Sequence, residues 1–203
     1  AEVLSKEGIT IKTNVEVKSM RKENGKKIIS YLVNGKSEEV SGDEILLAAG
    51  KTPNTQGLGL DVVGVEVSKQ QAVVVNQYFQ TSNKNVFAVG DVTNAPMRLE
   101  TTAGREGTLA AENALSARSG SASGGKGSML SIDYNTVPYA IFTDPQLAGV
   151  GFTEDEQMKQ MGVCACRTVS FADVPKAIII HRTEGMIKMA IHPQTKQILG
   201  VHI

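Results

Sequence analysis

Two continuous apolar runs constrain the fold of this 203-residue chain more than any other feature. They are "EILLAAG" at 44–50 and "VFAVG" at 86–90. Strands buried on both faces, as in a parallel sheet, have such unbroken runs instead of alternating apolar and polar residues. We therefore predict two buried strands of an α/β fold. The second run leads into Asp91, and a carboxylate there is costly unless it caps a turn or faces a ligand.

The segment before the first run has the pattern of an antiparallel meander. Residues 9–20 alternate apolar and polar side chains, and 27–35 and 36–42 follow as two further strand-like stretches. Asn24-Gly25 and Asn34-Gly35 separate them, and Asn-Gly is a strong signal for a two-residue hairpin turn. We predict three antiparallel strands that lead into the first buried strand.

A helix and then a low-complexity stretch follow the second run. Residues 100–117 are rich in Ala, Glu and Leu, which favour a helix. Gly104 and Gly107 lie three positions apart, so we expect this helix to pack closely on a neighbour. The Gly/Ser composition that follows predicts a flexible linker over 118–130.

Beyond the linker, residues 131–203 have the pattern of a largely antiparallel sheet with at least one helix. Thr153 and Glu156 have the spacing of a capping box, and Gly162 is placed to end the helix that it begins. The chain stops at Ile203 within a strand pattern, so we expect a truncated domain.

Charge and hydropathy exclude several kinds of partner. Lys plus Arg and Asp plus Glu both number 21, so the formal net charge is zero and gives no reason to expect nucleic acid binding. No apolar run approaches the roughly 20 residues that span a bilayer. The start of the chain also lacks the basic and apolar regions of a signal peptide. We expect neither a nucleic acid nor a membrane partner.

The two cysteines leave several readings open. Cys164 and Cys166 would lie on the same face of a strand, where they could bind a soft metal ion, oxidise, or be two small half-buried side chains. Two cysteines at this spacing do not imply a disulfide framework, which favours a reducing, cytoplasmic location. With only three histidines present, we assign no metal site from the sequence.

One combination of motifs points to a known family. The stretch "ILLAAGKTPNT" (45–55) is followed some thirty residues later by "VFAVGDV" (86–92). The combination resembles the flavoprotein pyridine nucleotide-disulfide oxidoreductases (class I), which have two dinucleotide-binding domains and use FAD and NAD(P)H. The resemblance implies that Gly50 and Gly90 allow close approach of a cofactor and that Asp91 accepts a hydrogen bond from the ribityl chain of FAD.

The same resemblance places a helix beneath the flavin ring. The segment "APMRLETTAGREG" (95–107) matches the region in which this family begins that helix. A helix N-terminus supplies unpaired N–H groups and a positive partial charge, which favour a reduced flavin. The residues that the resemblance places there are Arg98, Leu99, Glu100 and Thr101. Glu100 departs from the family pattern, which has Thr or a small or apolar residue there, and it suits the helix start by its charge.

Two short signatures indicate which member of the family is most similar. "TDPQ" (143–146) and "SFADVPKA" (170–177) look most like mercuric reductase, in which electrons pass from NAD(P)H through FAD and a cysteine pair to Hg(II). The alternatives are dihydrolipoamide dehydrogenase, or an NAD(P)H oxidase or coenzyme A disulfide reductase with a single redox cysteine. An alternative of another class is a non-catalytic dimerisation or assembly module.

The resemblance also implies a domain plan. Residues 1–52 would be the C-terminal half of the NAD(P)-binding domain, 53–117 the C-terminal part of the FAD-binding domain, and 131–203 a dimerisation domain that forms a homodimer. The fold class is thus a partial α/β two-dinucleotide-domain fold followed by an α+β domain with an antiparallel sheet.

The family's GxGxxG motifs and Cys-x4-Cys redox pair are absent from this sequence. We therefore assign no catalytic residue, and expect the chain to be a fragment that is inactive alone. His192-Pro193 is interpreted as a hairpin turn.

Overall fold

A computed structural model gives the fold for residues 1–119 and 129–203. The chain forms two compact units, Ala1–Lys51 and Thr52–Ile203. Most of the linker predicted over 118–130 lies outside the described residues.

The first unit is a three-stranded meander preceded by a short helix. It comprises α1 (Glu2–Lys6), β1 (Val15–Glu23), β2 (Lys26–Val33) and β3 (Lys36–Gly42), with the sheet order β1-β2-β3. Both hairpins are antiparallel, as the sequence predicts.

The hairpin turns form where the Asn-Gly pairs predict them. Glu23 pairs with Lys26, which leaves Asn24 and Gly25 as a two-residue loop with φ of 49° and 80°. The second loop has φ of 50° and 75°. Two successive positive φ values define the turn whose twist matches that of the flanking strands, and Asn and Gly adopt them at low cost.

Across this meander, an ion pair makes the first unit sensitive to acid. The Arg21 guanidinium donates two hydrogen bonds to the Glu39 carboxylate, at 2.7 and 2.8 Å, and Ser30 donates a third at 2.8 Å. These contacts lower the pKa of Glu39 from its usual 4.5 to about 2, and the hydrogen bonds from Arg21 are the largest cause. Because the pKa is lower in the folded chain, the stabilisation is complete above pH 4.5. It is lost as the pH falls through 4.5 towards 2.

We expect the Glu39 carboxyl carbon to titrate near pH 2 in an NMR pH series, and near its usual value in Arg21→Gln. Lys22→Gln, at a neighbouring exposed position on β1, should leave the low midpoint unchanged. A midpoint near 4.5 in the native chain would show that the ion pair does not form in solution.

The predicted buried strand at 44–50 is wrong for the chain as described. These residues have no regular structure, and Leu46 and Leu47 are 91% and 73% exposed. A strand of this kind needs a neighbour on each side, and in the described part of the first unit the only strands are those of the meander. The apolar run is thus present without the sheet that would bury it.

The second unit contains a long helix and a five-stranded sheet. Its elements are α2 (Glu100–Ser119), β4 (Tyr139–Ile141), β5 (Leu147–Gly151), α3 (Glu154–Met161), β6 (Ala165–Ser170), α4 (Pro175–Ile179), β7 (Met186–Ile191) and β8 (Ile198–His202). The sheet has the order β4-β5-β8-β7-β6, and all of its neighbouring strands are antiparallel. The predicted antiparallel domain is confirmed.

The buried strand predicted at 86–90 also fails to form a ladder. Phe87 makes one isolated bridge to Gln80, and Val73 makes a parallel bridge to Thr93. The backbone at Val89 is extended, and Gly90–Val92 form a single 3₁₀ turn. The prediction of extended backbone before Gly90 is therefore correct, but among the described residues this segment has no continuous partner strand. It packs instead against α2 through Phe87 and Val89.

Helix α2 contributes to an apolar core in the second unit. Leu109 and Ala110 pack with Phe79 in the apolar core. The close packing expected at Gly104 and Gly107 is wrong, because a Cβ added at either would meet no atom of the described chain within 4 Å. The helix packs through its other face.

Helix α3 begins and ends as the sequence predicts. Thr153 Oγ1 accepts a hydrogen bond from the Glu156 N–H, and the Glu156 carboxylate accepts one from the Thr153 N–H at 2.8 Å. Gly162 ends the helix with φ of 70°. Among the helices of the described residues, none has the length and apolar character needed to cross a bilayer.

Candidate functional site

The turn at Gly90 and Asp91 is the centre of the candidate site. Gly90 is buried and has φ of 73°, whereas Asp91 is exposed. A Cβ built on Gly90 would lie 3.1 Å from the Ala103 Cβ of α2, so only glycine fits this approach without a shift. The turn thus rests on the first turns of α2 and leaves the Asp91 residue at the surface.

A buried carboxylate, Glu106, holds this turn in place. The Gly90 N–H donates to Glu106 Oε2 at 2.7 Å, and the Tyr134 hydroxyl donates to Oε1 at 2.7 Å. Glu106 is fully buried. Burial first, and then the Glu106 carboxylate, raise the pKa of Tyr134 well above its usual value. Glu106 therefore joins α2 to the turn before it and to the segment that leads into the antiparallel domain.

The start of α2 faces the surface beside this turn. Arg98 and Leu99 precede the helix, and Glu100 and Thr101 form its first residues; of these four, Leu99 is half-buried and the others are exposed. The first helical hydrogen bond in this region runs from the Ala103 N–H to the Leu99 carbonyl at 2.9 Å. The N–H groups before Ala103 thus have no acceptor within the helix, as at any helix start.

One buried polar atom in the first turn of α2 has no hydrogen-bond partner among the described residues. Thr102 is 2% exposed, and its Oγ1 makes no hydrogen bond within the described chain. Buried hydroxyls are nearly always paired, so an orphan marks a place where a further donor or acceptor is expected.

Most of the residues predicted as cofactor contacts lie in one region. The contact between Gly90 and Ala103 places the turn with Asp91 beside the helix start that carries Arg98, Leu99, Glu100 and Thr101. Gly50 lies in the other unit, exposed and with φ of 99°. The role of Gly50 as a cofactor contact stays a prediction.

Comparison with protein families identifies the chain. Residues 1–107 match the family model described as pyridine nucleotide-disulphide oxidoreductase. The chain belongs to this family. Residues 137–203 match the model of the dimerisation domain of the same family. The family resemblance predicted from the motifs at 45–55 and 86–92 is therefore confirmed, and so is the predicted fold class.

Curated relatives of two kinds match at similar identity. A mercuric reductase of Staphylococcus aureus is 36% identical over 204 residues, with 100% of this chain and 35% of the relative covered. A mitochondrial dihydrolipoyl dehydrogenase of Rattus norvegicus is 37% identical over 205 residues, with 99% and 38% covered. The chain thus spans well under half the length of either relative, and identity alone does not separate the two.

Solved structures agree on the fold. The Cu(II) complex of the HOCl-induced flavoprotein disulfide reductase RclA from Escherichia coli matches with a TM-score of 0.80 at 24% identity, covering 100% of this chain and 43% of that one. LpdA from Mycobacterium tuberculosis matches with a TM-score of 0.77 at 23% identity, covering 99% and 41%.

Members of this family use FAD and NAD(P)H. The site around Gly90 fits a group with hydroxyls and acceptor oxygens. It has an exposed carboxylate that can accept hydrogen bonds, helix N–H groups that can donate them, and the orphaned Thr102 hydroxyl. These features suit the polyol chain and the polar ring edge of a flavin.

Sequence reasoning missed the buried polar residues that organise this unit. Glu106 was interpreted only as a helix former, and Asn113 was not singled out. Asn113 is buried, donates to the Tyr78 and Leu130 carbonyls, and accepts from the Leu130 N–H at 2.7 Å. A signal existed, because Glu106 and Asn113 share the i, i+3, i+4, i+7 spacing of the core residues Leu109 and Ala110.

The close approach at Gly90 gives a testable prediction. Gly90→Ala adds a methyl group 3.1 Å from the Ala103 Cβ and places alanine at φ of 73°. Gly57 has a similar φ of 77° and open space around it, so Gly57→Ala measures the conformational cost alone. We expect Gly57→Ala to cost about 1 kcal/mol of unfolding free energy and Gly90→Ala about 1–3 kcal/mol more, measured by urea unfolding. Equal losses in the two variants would show that the turn does not pack on α2.

Proposed function

We propose that this chain is part of a flavin-dependent oxidoreductase that passes electrons from NAD(P)H through FAD and a cysteine pair to Hg(II). The observation that carries the flavin assignment is the Gly90-Asp91 turn, held against the start of α2 by the buried Glu106. In this assignment Asp91 accepts hydrogen bonds from the ribityl hydroxyls, and the N–H groups at the start of α2 face the polar edge of the ring.

The chemistry that bound FAD supplies in such an enzyme is electron transfer between a nicotinamide and a cysteine pair. The role of this chain is to position the cofactor. The positive end of the α2 dipole favours negative charge on a reduced flavin. Burial of Gly90 and Glu106 keeps the backbone turn that carries Asp91 in one position beside the start of α2.

The choice of Hg(II) as acceptor depends on the two signatures in the antiparallel domain. They line one cavity of about 590 Å³, to which "TDPQ" contributes Asp144, Pro145 and Gln146 and "SFADVPKA" contributes Phe171, Val174, Lys176 and Ala177. Arg182 links them, since its guanidinium pairs with the Asp144 carboxylate and its N–H donates to the Ala177 carbonyl at 2.9 Å. The two signatures thus lie side by side in the folded domain, and their assignment to the mercuric reductase type depends on the resemblance alone.

The second candidate is a dihydrolipoamide dehydrogenase, favoured by the 37% identity to the rat enzyme. A third, of another class, is a non-catalytic dimerisation module. Phe142 and Ile179 are 84% and 71% exposed, and large apolar side chains exposed in this way suit a domain that a second copy covers.

We propose that residues 131–203 form a homodimer in a cytoplasmic protein. In this proposal residues 1–52, 53–117 and 131–203 are the NAD(P), FAD and dimerisation portions.

Sequencing the gene on both sides of the codons for Ala1 and Ile203 separates these candidates. Mercuric reductase requires two GxGxxG motifs, a Cys-x4-Cys pair and a cysteine pair at the extreme C-terminus. A C-terminal helix that contains His and Glu in place of the terminal cysteines would favour the lipoamide enzyme, and a single redox cysteine would favour an oxidase or coenzyme A disulfide reductase. A gene that encodes no dinucleotide motif would leave the dimerisation module.

A further inference from the structure

The two cysteines form a cluster with an acidic side chain in the antiparallel domain, away from the candidate flavin site. Cys164 precedes β6 and Cys166 is its second residue, whereas Glu154 is the first residue of α3. The two sulfurs and a Glu154 carboxylate oxygen all lie within 4.8 Å of one another. In the structure the two cysteines are joined as a disulfide, which is one of the states that the sequence left open.

A buried amide points at this cluster. Gln157 of α3 is fully buried, and its Nε2 donates to the Ile191 carbonyl at 2.9 Å. This bond fixes the side chain so that Oε1 lies 3.9 Å from Cys166 Sγ. A disulfide sulfur carries no hydrogen, so the buried oxygen receives no donor from Cys166 in this state, and a buried acceptor left without a donor is costly. Either a thiol hydrogen or a cation beside the sulfurs would satisfy it.

An ion pair holds the carboxylate of this cluster. Lys188 Nζ lies 2.6 Å from Glu154 Oε2, so an ammonium group of β7 pairs with the carboxylate beside the sulfurs. A carboxylate has lone pairs on two oxygens, so Glu154 can bind a metal ion while it pairs with Lys188.

The cluster is held by regular structure on each side. Glu154 begins a helix with a complete capping box, and Cys166 pairs with Ala190 across the β6–β7 ladder. Sites on helices and strands keep their ligands in place better than sites on loops do.

We propose that reduced Cys164 and Cys166, together with Glu154, bind a soft, thiophilic d¹⁰ metal ion, and that the disulfide closes this site. Two thiolates select such ions over hard ones, and three protein ligands leave a fourth position open. This inference does not depend on the proposed electron transfer, because the site lies in residues 154–166 and needs no flavin.

Reduction of the disulfide and binding of the metal ion are two separate steps. A phosphine reductant gives two electrons to the disulfide and becomes a phosphine oxide by taking oxygen from water, and the two protons of that water complete the thiols. A divalent ion then replaces the two thiol protons, which are released to solvent, with no change in oxidation state.

The test uses the 203-residue chain and Cd(II) as the probe. The chain is reduced with a phosphine, freed of reductant without air and titrated with Cd(II), with ultraviolet Cd–thiolate absorption as the readout. Since the chain has only two cysteines, a thiol count of two confirms full reduction. We expect one Cd(II) per chain, and no such binding to the same chain in its disulfide form.

Variants distinguish a site with three ligands from two neighbouring thiols that bind the ion without Glu154. We expect Cys164→Ser and Cys166→Ser each to abolish this absorption at one equivalent of Cd(II). Glu154→Gln should weaken Cd(II) at least about tenfold. Asp155→Asn changes a neighbouring exposed carboxylate outside the cluster and should leave the affinity for Cd(II) unchanged.

Equal affinity of the reduced and disulfide forms would overturn the proposal, and this comparison needs no variant to fold. So would Glu154→Gln binding Cd(II) as tightly as the native chain, because the carboxylate would then not be a ligand.

Discussion

Asp91→Ala in the full-length protein should weaken FAD binding about 10- to 100-fold. The carboxylate lies at the surface beside the start of α2, and the proposed contact is a hydrogen bond from a ribityl hydroxyl to a charged acceptor. Such a bond contributes roughly 1.5–3 kcal/mol, which corresponds to that loss of affinity. The measurement is the dissociation constant for FAD after removal of the bound cofactor, together with the FAD content per subunit as purified.

Two further variants make this test specific. Asp91→Asn keeps an acceptor oxygen and loses the charge, so its affinity should lie between those of the native protein and Asp91→Ala. Asp61→Ala changes another exposed aspartate of the same unit and should leave FAD binding unaltered. If Asp91→Ala retained its flavin as well as Asp61→Ala does, Asp91 would be only a turn residue.

Glu106→Ala should be the most destabilising single change near the site. It removes the acceptor of both the Gly90 N–H and the Tyr134 hydroxyl. Each donor left without its acceptor costs about 1–3 kcal/mol, so we expect a loss of at least about 2 kcal/mol in the unfolding free energy. For a chain of this size that corresponds to a Tm lowered by at least roughly 4–8 °C.

Glu112→Ala is the matched control for this prediction, because Glu112 is exposed on the same helix and undergoes the same change in helix propensity. It should alter the unfolding free energy by less than about 0.5 kcal/mol. Glu106→Gln keeps one acceptor oxygen and should lie between the two. Equal Tm values for Glu106→Ala and Glu112→Ala would mean that the buried carboxylate does not hold the turn.

Local signals in the sequence predicted local structure well. The Asn-Gly hairpins, the capping box of Thr153 and Glu156 and the extent of α2 depend on residues close in the chain, and all of them formed. The antiparallel domain was also predicted, and two of its neighbouring strand pairs, β4–β5 and β7–β8, are joined by short connections.

Non-local features were predicted less well. The runs at 44–50 and 86–90 have the composition of buried strands, but burial depends on partner strands that the described residues do not provide. The role of Glu106 was missed for a related reason. The helical spacing of Glu106 with Leu109 and Ala110 marked it as a residue of the buried face, but its hydrogen-bond partners lie 16 and 28 residues away, so the contacts themselves had no local signal.

The site was predicted mainly through the resemblance. Composition gives Asp91 no preference for a flavin over a turn, and the motif pair at 45–55 and 86–92 supplied the cofactor. The structure adds the contacts that hold Gly90 and the orphaned hydroxyl of Thr102, neither of which the sequence indicated.

The most direct test of the account is the rate of NAD(P)H oxidation by the purified full-length protein when Hg(II) is added in the presence of excess thiol. We predict a flavin-containing protein whose NAD(P)H oxidation depends on Hg(II) and which does not reduce NAD⁺ with dihydrolipoamide. A flavoprotein that oxidises dihydrolipoamide and ignores Hg(II) would contradict the assignment of the acceptor. A protein that binds no FAD would contradict the central claim.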